Sequence, residues 1–191
     1  IFPEKYGGLG GNILELVAIQ DEMGRACVPG AFYSTVLLGG LFILNNGSEE
    51  QKQDLLSKVA GGKLILTLAL TEPSGSYEAA AVETKAVSDK DDYLISGTKL
   101  YVPDAHIADY IICIARTKSG KTAEEGITAF LVDGKSQGIR STLLKTIAGD
   151  KLCEVIFDKV RVPKKNIVGK LDQAWGPLEQ TLQLVSVAKC A

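Results

Sequence analysis

The chain has 191 residues, 46% of them apolar and 23% charged, and 21 basic against 23 acidic side chains leave a net charge of −2. That length can bury a real hydrophobic core, and this balance of residue types excludes a disordered tail. Charges of both signs are scattered without a basic stripe, so no nucleic-acid partner is expected and a small-molecule site fits better.

The N-terminal IFPEKYGGLGG lacks the basic region and long apolar core of a signal peptide, and it reads as the continuation of a longer chain. Residues 12 to 61 read as three helices. Asn12 is a helix cap with Glu15 three residues on, and Ile13, Leu16, Val17 and Met23 then mark one face. Phe32 to Leu44 is apolar nearly all round, as in a helix buried among others, and its apolar run is too short and glycine-broken to span a membrane. Ser48 and Gln51 form a capping box, followed by the stripe Leu55, Leu56, Val59 and a stop at Gly61-Gly62.

Beyond Gly62 short runs rich in β-branched residues alternate with turn signals. They predict strands at Leu64–Thr71, Ala80–Val87, Tyr93–Ser96, Lys99–Val102, Tyr110–Arg116, Ile127–Val132, Ile139–Leu144 and Cys153–Val160, with an exposed loop from Lys118 to Gly126. Strands at this spacing without intervening helices predict an antiparallel barrel or sandwich. From Trp175 the pattern turns helical again, with Leu178, Leu182 and Val185 on one side and little room for the helix to pack. The four cysteines (Cys27, Cys113, Cys153, Cys190) form no C-x-x-C pair and, with the single histidine His106, no metal-ligand spacing. They read as thiols in a reducing compartment.

The most distinctive segment is LALTEPSGS, residues 68–76. A strand ending in Thr71 meets Pro73, which cannot donate to a ladder, and then a small-residue turn whose N–H groups can face a ligand. By itself an ordinary strand-to-loop turn accounts for it. Four more segments share an order with it: PEKYGGLGG before a helix, GSEEQKQDLL, GTKLYVPDAHIADY and FDKVRVPKKNIVG. In that order they resemble the acyl-coenzyme A dehydrogenase family, whose middle domain carries a T-E-P-x-A-G-S-D motif at the position of Thr71 to Tyr77. The resemblance covers essentially the whole chain.

That resemblance implies an α+β fold, a helical segment followed by an antiparallel β-barrel. Residues 1–62 would be the later part of an N-terminal helical domain, 63–170 the middle barrel, and 171–191 the start of a C-terminal helical bundle otherwise missing. It implies FAD as cofactor, an acyl-CoA thioester as substrate and α,β-dehydrogenation as the reaction. An acceptor like an electron-transfer flavoprotein would take the electrons, and the full-length protein would be a homo-oligomer in the cytoplasm, or in the mitochondrial matrix of a eukaryote. Carried over residue by residue, it assigns flavin contacts to Leu68, Leu70 and Thr71, to Gly75 and Ser76, and to Tyr101, Val102 and Pro103. Ser76 would also meet the acyl ligand.

Departures from the family pattern are equally specific. The motif here is one residue shorter, Tyr77 stands where aspartate is expected, and Pro103 replaces a threonine that would reach the reactive flavin N5. Proline has neither hydroxyl nor N–H to give, so one hydrogen bond is expected to be lost. Glu72 is expected to be structural. No catalytic base and no metal ligand are assigned, the base being expected beyond Ala191. Two other readings stay open on the same scaffold, a flavin monooxygenase and a non-enzymatic acyl-CoA-binding relative.

Overall fold

A computed structural model describes residues 1–190. Helix α1 (Ile13–Arg25) opens with the expected capping box: Asn12 Oδ1 accepts from the Leu14 and Glu15 N–H groups, and Glu15 Oε2 accepts from Asn12 N. Its apolar face is only half covered, with Leu16 buried and Leu14 and Ile19 exposed. Helix α3 (Glu49–Ala60) carries the second box, Ser48 with Gln51, and buries the predicted stripe of Leu55, Leu56 and Val59.

Between them the predicted buried helix exists but is wound differently. Tyr33–Gly40 is a π-helical segment that tightens into α2 (Leu41–Asn46). The wider turn suits a close approach to the sheet. A Cβ on Gly39 would lie 2.5 Å from the Leu66 Cβ, and the Thr35 hydroxyl donates to Leu66 O at 3.2 Å while accepting from Leu66 N at 3.3 Å.

Eight strands follow: β1 (Leu66–Ala69), β2 (Lys85–Asp89), β3 (Asp92–Pro103), β4 (Tyr110–Arg116), β5 (Ile127–Asp133), β6 (Ile139–Leu143), β7 (Leu152–Pro163) and β8 (Ile167–Val168). They form one sheet ordered β6-β7-β3-β2-β4-β5-β8, with β1 off this path beside β4. The expected antiparallel barrel is therefore corrected to an open, mixed sheet. Strand β1 runs parallel to β4, and β2 meets β4 in parallel at Lys85 and Arg116. Parallel neighbours need a crossover, and here the intervening strands and loops supply it.

Three predicted strands differ from the expectation. The run expected from Ala80 begins its ladder at Lys85, because side chains capture the preceding backbone: Glu72 accepts from the Glu83 and Thr84 N–H groups, and Arg116 donates to the Ala79 and Val82 carbonyls. The two runs expected at 93–96 and 99–102 are one long strand, β3, with register shifts between Ile95 and Gly97 and between Lys99 and Val102.

Two cores share this sheet. Ile112 and Ile114 of β4 with Ala129 and Leu131 of β5 join the helices in the first, while Ile111, Cys113, Phe130 and Val132 join β3 and β7 in the second. Alternation along a strand sends neighbours to opposite faces, and both faces are covered, so β4 and β5 read as near-continuous apolar runs. Tyr93 and Phe130 meet in the second core with ring centroids 5.1 Å apart. Helix α4 (Trp175–Lys189) packs more fully than its sequence suggests, burying Trp175, Leu178, Thr181, Val185 and Ala188. Among the described residues, no helix is long and apolar enough to cross a membrane, and no three His, Cys, Asp or Glu side chains gather to hold a metal ion.

Candidate functional site

Strand β1 ends at Ala69, and the chain leaves the sheet through Leu70, Thr71 and Glu72. At this edge a cleft of about 700 Å³ opens between the sheet and the helical layer. One wall comes from Leu68, Leu70 and Thr71, with Leu100, Tyr101, Pro103 and Asp104 at the end of β3. Tyr33 and Leu38 of the π segment and Leu182 of α4 face them, and the loop from Ala148 to Lys151 closes one side.

The end of β3 is held in an unusual backbone. Tyr101 and Asp104 have φ of 55 and 54, left-handed conformations that cost a non-glycine residue energy and persist only when the surroundings impose them. Four bonds impose them here. Leu100 N donates to Thr71 O at 2.8 Å, the Thr67 hydroxyl to Pro103 O at 2.6 Å, Asp104 N to Lys151 O at 2.8 Å, and the Ser34 hydroxyl to Asp104 Oδ2 at 2.6 Å. The outcome is a Tyr101 side chain left 53% exposed at the cleft wall.

Behind the same edge lies a charge pair that sequence reasoning missed. Lys99 is wholly buried, its Nζ 2.7 Å from Glu72 Oε1 and 3.0 Å from Leu70 O. Burial by itself raises the Glu72 carboxyl, but the Lys99 ammonium and the N–H groups of Thr84 and Glu83 outweigh it and hold the group below the usual carboxylate range. Burial also pushes the neighbouring Cys113 thiol up to about 12, leaving it inert. Burial, with Tyr77 adding, raises the Tyr33 phenol. One signal for Lys99 was present in the sequence: it continues the alternation that buries Tyr93 and Ile95, an apolar face on which a lysine needs an acidic partner.

Of the sequence-predicted site residues, Leu68, Leu70, Thr71, Tyr101 and Pro103 come together at this cleft. Val102 does not: it is 1% exposed and packs in the second core, because the register shift between Lys99 and Val102 turns it to the face of Tyr93 and Ile95. Gly75 and Ser76 lie outside the cleft wall in an exposed turn, where Gly75 has φ 72 and donates to Glu72 O, and the Ser76 hydroxyl accepts from Glu78 N. The altered Tyr77 of that turn does line the cleft and is 69% exposed. Glu72, expected to be structural, is engaged by Lys99 and by two main-chain N–H groups. Pro103 offers no donor, and its carbonyl is already taken by Thr67. His106 sits 3.8 Å from the buried Cys153 sulfur, away from the cleft.

Chemically, the cleft offers an aliphatic floor, an exposed aromatic ring and a threonine at a strand end. That set suits a flat heteroaromatic ring, which would stack on the tyrosine and take hydrogen bonds along one edge.

Comparison with known proteins gives this geometry a context. Residues 1–63 match the family profile described as acyl-CoA dehydrogenase, N-terminal domain, and residues 67–160 match acyl-CoA dehydrogenase, middle domain. A probable acyl-CoA dehydrogenase of Bacillus subtilis, YngJ, is 34% identical over 88% of this chain and 46% of its own length. The caffeyl-CoA reductase-Etf complex subunit CarC of Acetobacterium woodii is 32% identical over 95% of this chain and 49% of its own length. The butyryl-CoA dehydrogenase structure from Megasphaera elsdenii superposes with a TM-score of 0.89 at 28% identity, over 98% of this chain and 51% of that one. The chain spans about half the length of these relatives.

Proposed function

This chain belongs to the acyl-CoA dehydrogenase family, and from that premise we propose that its parent protein is an FAD-dependent enzyme that dehydrogenates an acyl-CoA thioester between its α and β carbons. The observation that carries this reading is the shared cleft of Thr71 and Tyr101 at the end of β1.

The residues suit the planar end of the cofactor. A cleft of about 700 Å³ has room for it, within the several-hundred-Å³ range common to small-molecule sites. In this reading Tyr101 would pack against the flavin ring, and the Thr71 hydroxyl and the main chain at Leu68 and Leu70 would hydrogen-bond it. Val102 contributes only through its backbone. The turn at Gly75 and Ser76, outside the cleft wall, would help to hold the cofactor, and Ser76 would also meet the acyl ligand. When bound, FAD supplies the acceptor for a hydride from the substrate β-carbon; the protein orients, excludes water and provides hydrogen bonds.

No proton acceptor is assigned among these residues. Glu72 is tied to Lys99, and the Asp104 carboxylate is occupied by Ser34. By the family resemblance, the α-proton would go to a carboxylate outside these residues. Electrons leave to a flavoprotein acceptor, a reading that the Etf-complex relative supports. Four unpaired cysteines fit a cytoplasmic setting.

The direction of reaction is tested on the full-length protein. Purified, it should carry flavin, and anaerobic addition of a saturated acyl-CoA should bleach the visible flavin absorbance. If only an unsaturated acyl-CoA reacts, and only by reoxidising reduced flavin, the enzyme is a reductase. A protein that retains no flavin overturns the proposal.

A further inference from the structure

Lys99 occupies a place for which a fold alone has little use. It lies in the middle of β3 with none of its surface exposed, and its ammonium spends two of its three donors on Glu72 Oε1 at 2.7 Å and Leu70 O at 3.0 Å. Glu72 in turn accepts from Glu83 N at 2.9 Å and Thr84 N at 3.0 Å. The next residue, Leu100, donates its N–H to Thr71 O at 2.8 Å, and the one after it, Tyr101, presents its ring to the cleft.

Two consecutive residues of β3 thus engage three consecutive residues beyond β1. Lys99 grips Leu70 and Glu72, Leu100 grips Thr71, and Tyr101 stands across from the edge so held. We infer that Lys99 is a positioning residue, whose ion pair with Glu72 sets the separation and tilt between the Leu70–Thr71 edge and the Tyr101 ring. Ionic groups of this kind cost desolvation, and apolar residues of similar volume stabilise a fold as well or better. The return on a buried pair is directional: an ammonium aimed at one carbonyl fixes that carbonyl where apolar packing would let it slide. Any slide there displaces the donors that face the ligand.

The inference rests on the flavin reading above and extends it to a residue that touches neither ligand. Its test uses the full-length protein and two variants. Lys99→Met/Glu72→Leu removes both charges, so that no lone charge stays buried, and Glu72→Gln keeps the shape and one acceptor for Lys99. Four quantities are measured: the unfolding midpoint without ligand, the FAD dissociation constant, and the midpoint potential and visible spectrum of bound FAD.

The double variant should keep a cooperative unfolding transition, bind FAD at least about ten-fold more weakly, as loss of one well-placed hydrogen bond would produce, and shift the flavin potential to more negative values. The potential falls because displaced donors no longer stabilise charge on the reduced ring. Glu72→Gln should change affinity and potential in the same directions by a smaller factor, and it decides the matter if the double variant does not fold. Unchanged affinity, potential and spectrum in a folded variant would make the pair structural only and overturn the inference. Wild-type protein that binds no FAD would overturn the flavin reading itself, and the inference with it.

Discussion

Tyr101 shows two demands meeting at one residue. Its φ of 55 costs a non-glycine side chain about 1 kcal/mol, yet its exposed ring is the aromatic face of the cleft. Substitution separates the two. Tyr101→Ala keeps the strain and loses the ring, whereas Tyr101→Gly loses both. Ligand-free Tyr101→Gly should therefore be more stable than Tyr101→Ala by about 1 kcal/mol, read from urea unfolding. Both should bind FAD several-fold more weakly, since aromatic stacking contributes about 1 kcal/mol. Glu72 makes a second residue-level prediction. Its carboxyl is held below the ordinary value of 4.5, so the folded state takes up its proton less readily than the unfolded state. The resulting stability is fully present above 4.5 and is lost as pH falls through the lowered folded value. The stability gap between wild type and Glu72→Gln should stay level from neutral pH down to about 5 and close below it.

Among the elements, the π segment has little tolerance for added bulk. Gly39 lets it approach β1 until an added Cβ would stand 2.5 Å from the Leu66 Cβ. Gly39→Ala must push the segment outward, at about 1–3 kcal/mol for overpacking of this kind, measurable as a lower unfolding midpoint. Because Tyr33 and Leu38 ride on that segment and line the cleft, FAD affinity should fall as well. Helix α1 is a contrast. Its cap is exposed and well formed, with Asn12 Oδ1 accepting from Leu14 N at 2.8 Å, so Asn12→Ala should cost about 1 kcal/mol and leave FAD affinity unchanged.

At the scale of the whole molecule, two cores are joined through strands they share. Ile112 and Ile114 of β4 serve the first and Ile111 and Cys113 the second, so neither core survives the loss of that strand. Unfolding should therefore be a single cooperative transition. Trp175, the only tryptophan, reports on the first core by fluorescence, and Cys113, buried with an unreactive thiol, reports on the second by its accessibility to a thiol reagent. The two denaturation midpoints should coincide; separated midpoints would mean that the sheet holds two independent units.

The local signals were legible in the sequence. Capping boxes at Asn12 and Ser48, the stripe of Leu55, Leu56 and Val59, and the apolar runs of β4 and β5 need only near neighbours to be specified, and so the helices and most strands could be placed. The motif around Thr71 reads by itself as an ordinary strand-to-loop turn, and only its resemblance to a family pointed to a site there. Pairing between distant strands was not legible, because periodicity states which face a residue takes and not which strand lies beside it; β1 therefore became parallel to β4 in an open sheet instead of joining an antiparallel barrel. Lys99 shows the limit most plainly. Alternation alone puts it on the face of Tyr93 and Ile95 without naming a partner, and only folding brings Glu72 and the Leu70 carbonyl to its ammonium, since a buried charge takes its meaning from partners 27 and 29 positions away along the chain.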